Sequence, residues 1–138
     1  MATYNKYTAA VEPLVEGINA GSDTWKIALA ATVNPADTTF VAGTTDLTTG
    51  GGYTQGGNTA TVTTSTQTSG TYKLVLASPT AWTASGAGFS FRYVILYDFT
   101  TSNPVGYWDY GSTVTMNGAN ADTFTVTLDA TNGVFQVV

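Results

Sequence analysis

Phe89-Ser90-Phe91-Arg92-Tyr93-Val94-Ile95-Leu96-Tyr97-Asp98 is the stretch on which the fold turns. Phe89, Phe91, Tyr93, Ile95 and Tyr97 recur at every second position. That is the period of a β-strand, whose successive side chains point to opposite faces. The other face carries Ser90, Arg92, Val94, Leu96 and Asp98, two of them apolar. A strand with apolar groups on both faces belongs in the middle of a sheet, so this one is predicted to be central and buried on both sides near its end.

The same period extends outward in both directions. Downstream, Thr100 to Pro104 is a turn, and residues 105–110 form the partner strand. Val114 and Met116 mark another strand, and residues 117–120 a further turn. Phe124, Val126 and Leu128 then alternate with Thr123, Thr125 and Thr127, and a last strand follows Asn132-Gly133. Upstream, Trp25, Ile27 and Leu29 share one strand face, with Lys26 and Ala28 opposite. Residues 59–68 read as a threonine-rich strand that turns at Ser69-Gly70 into Tyr72, Leu74 and Leu76. Trp82 sits in a short extended piece. About eight short strands with polar turns are the pattern of a β-sandwich or barrel, taken as a single antiparallel β-sandwich over residues 1–138, with no helix–strand alternation to support a parallel sheet.

One helix is expected near the N-terminus. Val11, Leu14, Val15 and Ile18 follow helical spacing, with Glu12 and Glu16 on the other side. Pro13 places the start of the regular turn near itself, and Asn19-Ala20-Gly21 its end. The apolar stripe is expected to cap an open end of the sandwich. Residues 34–58 carry little pattern beyond Phe40-Val41 and the run from Gly50 to Gly57. A loop of that length in a compact domain is usually functional, and its glycines read as flexible.

The composition narrows the function. The chain has 138 residues, net charge −5, 9% charged residues, and neither histidine nor cysteine. Threonine makes up about a fifth of it, which favours half-buried strands. The four cations, Lys6, Lys26, Lys73 and Arg92, are scattered, so no basic stripe exists to neutralise phosphates. Neither nucleic-acid nor membrane binding is expected, and no apolar run has signal-peptide or membrane-spanning length. Without histidine or cysteine there is no serine or cysteine triad, and zinc and copper lose their usual ligands. The glycine run lacks the Lys-Ser/Thr of a phosphate loop. Asp98 and Asp109 flank one predicted hairpin and form the one carboxylate pair worth testing for glycoside chemistry, although turn capping accounts for Asp98. Asn117, Asn120 and Asp122 could offer oxygens to calcium, but turn chemistry explains them better. No cofactor is expected, and no enzymatic activity.

Aromatic residues are the remaining signal. Tyr4, Tyr7 and Tyr53 fall in terminal or loop segments, and Trp108 and Tyr110 share a strand face opposite Tyr107. Tyrosine and tryptophan bury much area at low entropic cost and favour interface centres. These five are the candidate partner-binding residues, and the N-terminal segment 1–21 and loop 34–58 the candidate reaching elements. A carbohydrate-binding module, with Trp82 or Trp108 stacking on sugar, is the rival reading.

Three stretches together resemble a family of small structural proteins of tailed bacteriophages, encoded with capsid genes. They are Tyr4-Asn-Lys-Tyr7 with Gly21-Ser-Asp-Thr-Trp-Lys-Ile-Ala-Leu29, Arg92-Tyr-Val-Ile-Leu-Tyr-Asp98 with Asn103-Pro-Val-Gly-Tyr-Trp-Asp-Tyr-Gly111, and Asp122-Thr-Phe-Thr-Val-Thr-Leu-Asp-Ala-Thr-Asn-Gly-Val134. The resemblance covers most of the chain outside loop 34–58. It implies a jelly-roll-like sandwich, made in the host cytoplasm and acting as a head decoration (cement) protein on the virion surface. The implied partner is the major capsid protein, and the implied state a homo-oligomer, often a trimer. A tail or fibre role is the structural alternative.

Overall fold

The computed structural model describes residues 2–138 as a mostly β, antiparallel sandwich with one short α-helix. The strands are β1 (Thr3–Lys6), β2 (Trp25–Ala30), β3 (Asn58–Ala60), β4 (Val62–Thr68), β5 (Thr71–Leu76), β6 (Trp82–Thr83), β7 (Phe89–Asp98), β8 (Asn103–Met116), β9 (Thr123–Phe124) and β10 (Phe135–Val137). A five-stranded sheet runs β1-β8-β7-β2-β3. Facing it are a three-stranded sheet, β10-β5-β4, and the short pair β6-β9.

The central strand is where the alternation predicted it, but its face assignment changes partway. The β7–β8 ladder shifts register between Phe91, opposite Val114, and Tyr93, opposite Asp109. β8 carries the surplus residues, and Gly111 there takes φ +80°. Phe89 and Phe91 consequently pack in the core between the sheets, with Val94 and Leu96. Tyr93, Ile95 and Tyr97 lie on the opposite, outer face. A bulge inserts residues without disturbing the alternation of the sequence around it, so the period alone assigns all five to one face. The segments read as two strands, 105–110 and 114–116, are one 14-residue strand bent at this bulge.

β2 is buried on both faces. Trp25, Ile27 and Leu29 enter the inter-sheet core, and Ala28 and Ala30 the outer cluster with Tyr7, Ala10, Phe40, Ile95 and Tyr97. Residues near Tyr7 and Phe40 therefore cover the outer face of the large sheet. Phe40 stacks on Tyr97 with ring centroids 3.7 Å apart.

A 3-10 turn (Thr8–Ala10) leads into α1 (Val11–Glu16), with Pro13 inside its first turn, where the missing N–H is not needed. The helix starts before Pro13 rather than at it, and its stripe divides. Leu14 and Ile18 pack against the core, while Val11 is half exposed and Val15 is 83% exposed. Four apolar positions at helical spacing span more of the circumference than this two-turn helix buries.

Loop 34–58 does not project. Phe40, Asp46 and Tyr53 are buried, and Gly51, Gly52 and Gly57 are fitted against backbone, while Gly50 faces open space. A Cβ on Gly51 would overlap the Gly88 carbonyl, and one on Gly57 the Ile27 carbonyl.

Burial holds the Tyr7, Tyr53 and Tyr97 phenols well above the ordinary range, with nearby carboxylates adding to the effect. Phenols of the unfolded chain ionise near pH 10, so above that pH the unfolded state sheds protons that the folded state keeps. Stability is therefore expected to fall above pH 10, by about 1.4 kcal/mol per pH unit for each such tyrosine. A phenolate absorbance titration should show these three of the eight tyrosines ionising only as the chain unfolds. Eight phenols titrating together with the fold intact would contradict their burial.

Candidate partner-binding groove

The sandwich is open along one edge. β1 is the edge strand of the large sheet, antiparallel to β8 with Tyr4 opposite Trp108. The two rings meet at 5.0 Å between centroids, and Tyr4 lies across Gly106, where any larger residue would collide with it. Tyr110, in the bulge of β8, sets its ring edge-on to Phe91 and Phe124 at 6.0 and 5.9 Å. The facing wall is the chain after β9, with Val126 and Leu128 turned into the core. Between the walls lies a groove of about 500 Å³ lined by Tyr4, Val94, Trp108, Tyr110, residues 125–129 and Val134.

The five aromatic candidates separate clearly. Tyr4, Trp108 and Tyr110 come together in this groove, with Tyr4 and Tyr110 about 40% exposed. Tyr7 and Tyr53 do not join them. Tyr7 is enclosed against Tyr107 on the outer face, and Tyr53 is enclosed against Trp82 and Phe89 in the core. Both present no free surface, because the segments carrying them fold down onto the sheet. Trp82 is likewise buried, between Tyr53 and Phe124, which removes it as a platform for sugar.

The acidic candidates resolve into structural roles. Asp98 accepts hydrogen bonds from the Thr100 N–H and the Thr101 hydroxyl at the β7–β8 turn. Burial raises its pKa, Asp23 adds to the rise, and the Thr100 and Thr101 bonds oppose it. Asp109 sits opposite Tyr93, five residues along β7, or roughly 16 Å from Asp98, too far for a carboxylate pair across a glycosidic bond. Asp109 instead receives a two-pronged bond from Arg92 at 2.8 and 2.9 Å, which with the Gly111 N–H holds its carboxyl below the usual range. Asp122 accepts from the Asn117 N–H, and Asn117 from the Ala119 N–H, as a turn. No group of three or more His, Cys, Asp or Glu gathers to hold a metal among the described residues.

Two features escaped the reading of the sequence. Asp46 is buried and accepts from the Gly43 N–H, the Gly56 N–H and the Tyr53 hydroxyl, pinning the long loop. An aspartate in a Thr-Gly-rich stretch gave no sign of this. The second is the facing wall of the groove. Residues 123–128 alternate as a strand should, yet only Thr123–Phe124 is paired.

No helix among the described residues is long and apolar enough to cross a membrane. No family model matches the chain, and no curated protein and no solved structure gives a match.

Proposed function

We propose that this protein is a non-enzymatic virion component of a tailed bacteriophage. It acts as a head decoration (cement) protein, binding the outside of the head across neighbouring subunits of the major capsid protein. The observation that carries this reading is the open groove walled by Tyr4, Trp108 and Tyr110. Large rings beside a concave apolar surface are what protein interfaces use as anchors. The sequence resemblance supplies the kind of partner, and the jelly-roll connectivity and trimeric state belong to the same proposal. The mechanism is mechanical. Each copy buries apolar area across a seam between subunits, and many copies on one shell add their contributions against the pressure of packaged DNA.

Heads assembled with and without the protein provide the test. Decorated heads should retain DNA at higher temperature, and Trp108→Ala should weaken head binding about tenfold or more, the loss typical of an interface anchor. Equal DNA retention with and without the protein would overturn the cement role. Localisation of labelled protein to the tail would replace it with a tail or fibre role.

A further inference from the structure

The facing wall of the groove is an unfinished sheet edge. β9 pairs with β6 through Trp82 opposite Phe124, and the Ala84 N–H donates to the Asp122 carbonyl in the same register. In an antiparallel ladder, residues alternate between those bonded to the neighbour and those whose N–H and C=O point away from it. Counting on from Asp122 and Phe124, the backbone of Thr125 and Thr127 belongs on the side away from β6. Neither residue bonds to any backbone or side-chain group of the described chain. Beyond them the strand is still anchored, since the Leu128 N–H donates to Ser78 Oγ and both Val126 and Leu128 are buried. Residues 125–128 are thus held extended, with apolar side chains inward and free backbone groups at the opening.

Free strand edges are normally protected by charge, proline or a covering element. This one has Thr125 and Thr127 instead, and an apolar groove beside it. Asp129 is the one charged residue lining that groove. Its carboxylate accepts from Thr131 and Asn132 in the turn that follows, with Lys73 nearby, and Arg92 is engaged by Asp109. The chain carries net charge −5, so a second copy would meet it with the same sign.

We propose that the groove takes an extended strand of a partner polypeptide, apolar at alternate positions and carrying lysine or arginine, which pairs with the backbone of residues 125–128. The four residues span about 13 Å, enough for two inward side chains of the added strand to meet Trp108 and Tyr110. Backbone pairing supplies affinity, the aromatic wall selects the alternate side chains, and the net charge of −5 favours a strand that carries basic residues. The inference rests on the reading of this groove as the partner surface and adds the chemistry of what enters it.

The test uses the full chain and a capped heptapeptide, Lys-Val-Thr-Val-Thr-Val-Lys. Two twins accompany it, one N-methylated at alternate amides and one with both lysines replaced by glutamate. Amide hydrogen exchange, read residue by residue, should slow tenfold or more at Thr125 or Thr127 under saturating peptide. The N-methylated twin should not protect them, and the glutamate twin should bind several-fold more weakly at low salt. Absence of protection at millimolar peptide overturns the proposal, as does equal binding of the N-methylated twin. Equal binding of the glutamate twin overturns the basic-residue selection. No phage head enters this assay, so its failure leaves the head-decoration reading to its own test. A chain that takes the peptide but ignores heads would overturn that reading alone.

Discussion

Gly57→Ala is expected to be severely destabilised. Gly57 has φ +68°, a conformation that costs an L-residue about 1 kcal/mol or more. The larger cost is steric. Its Cβ would overlap the Ile27 carbonyl oxygen and crowd the Ala28 Cα, both in the backbone of β2. Those atoms cannot yield as a flexible side chain does, because Ile27 is paired with β3 on one side and β7 on the other, and Ala28 is paired with β7. The combined loss is expected to reach about 4 kcal/mol or more, a large part of the roughly 5–15 kcal/mol that stabilises a typical domain. In urea this corresponds to a midpoint lowered by about 2 M. Gly70→Ala is the control. Gly70 also has positive φ, at +84°, but nothing lies near its Cβ, so only about 1 kcal/mol should be lost. Equal losses in the two variants would show that the loop is not fitted against β2.

That contrast shows what local pattern conveys and what it does not. β7 and β2 were legible because their alternation is long and their residues are large. The hairpin at Ser69-Gly70 was legible because both residues take positive φ, +51° and +84°, as a tight two-residue turn requires. Gly51, Gly52 and Gly57 read as flexible in the sequence, because a glycine that admits a neighbouring backbone and a glycine that merely bends look alike there. Only the position of Ile27, thirty residues earlier, distinguishes them. The bulge in β8 was hidden for the same reason, since it redistributes faces without altering any residue's local preference.

The site was half legible. Trp108 and Tyr110 were placed together by strand period, and Tyr4 joins them because β1 pairs with β8 in the register that sets Tyr4 opposite Trp108. Tyr7, three residues on, falls on the other face of the same sheet, where Ala10, Ala28 and Phe40 enclose it. Ring chemistry suits both settings equally, so residue type could not separate anchor from core. The free backbone of Thr125 and Thr127 was invisible because their alternation predicts a paired strand, and pairing depends on whether a neighbouring strand lies on that side.

Asp46→Ala is the second substitution with a large expected effect. The carboxylate takes the Gly43 N–H on one oxygen and the Gly56 N–H on the other, both at 2.6 Å. The Tyr53 hydroxyl donates to that second oxygen and in turn accepts from the Leu29 N–H. One side chain therefore ties two glycines of the loop to a tyrosine rooted in the core and, through it, to β2. Alanine would leave the tyrosine hydroxyl and both N–H groups without their acceptor in a site only 7% exposed. Each such loss costs about 1–3 kcal/mol, so the three together are expected to cost about 3 kcal/mol or more. Asp46→Asn keeps one acceptor oxygen and the volume, and should lose about half as much. Tyr53→Phe removes one of the three donors but also the acceptor for Leu29, and the ring still fills its place beside Trp82 and Phe89. If the network acts as described, the double variant Asp46→Ala/Tyr53→Phe should be less destabilised than the sum of its parts by about 1–2 kcal/mol, measured by urea unfolding. Strict additivity would mean that the two groups stabilise the loop independently. The expected coupling makes the loop a fixed wall of the domain.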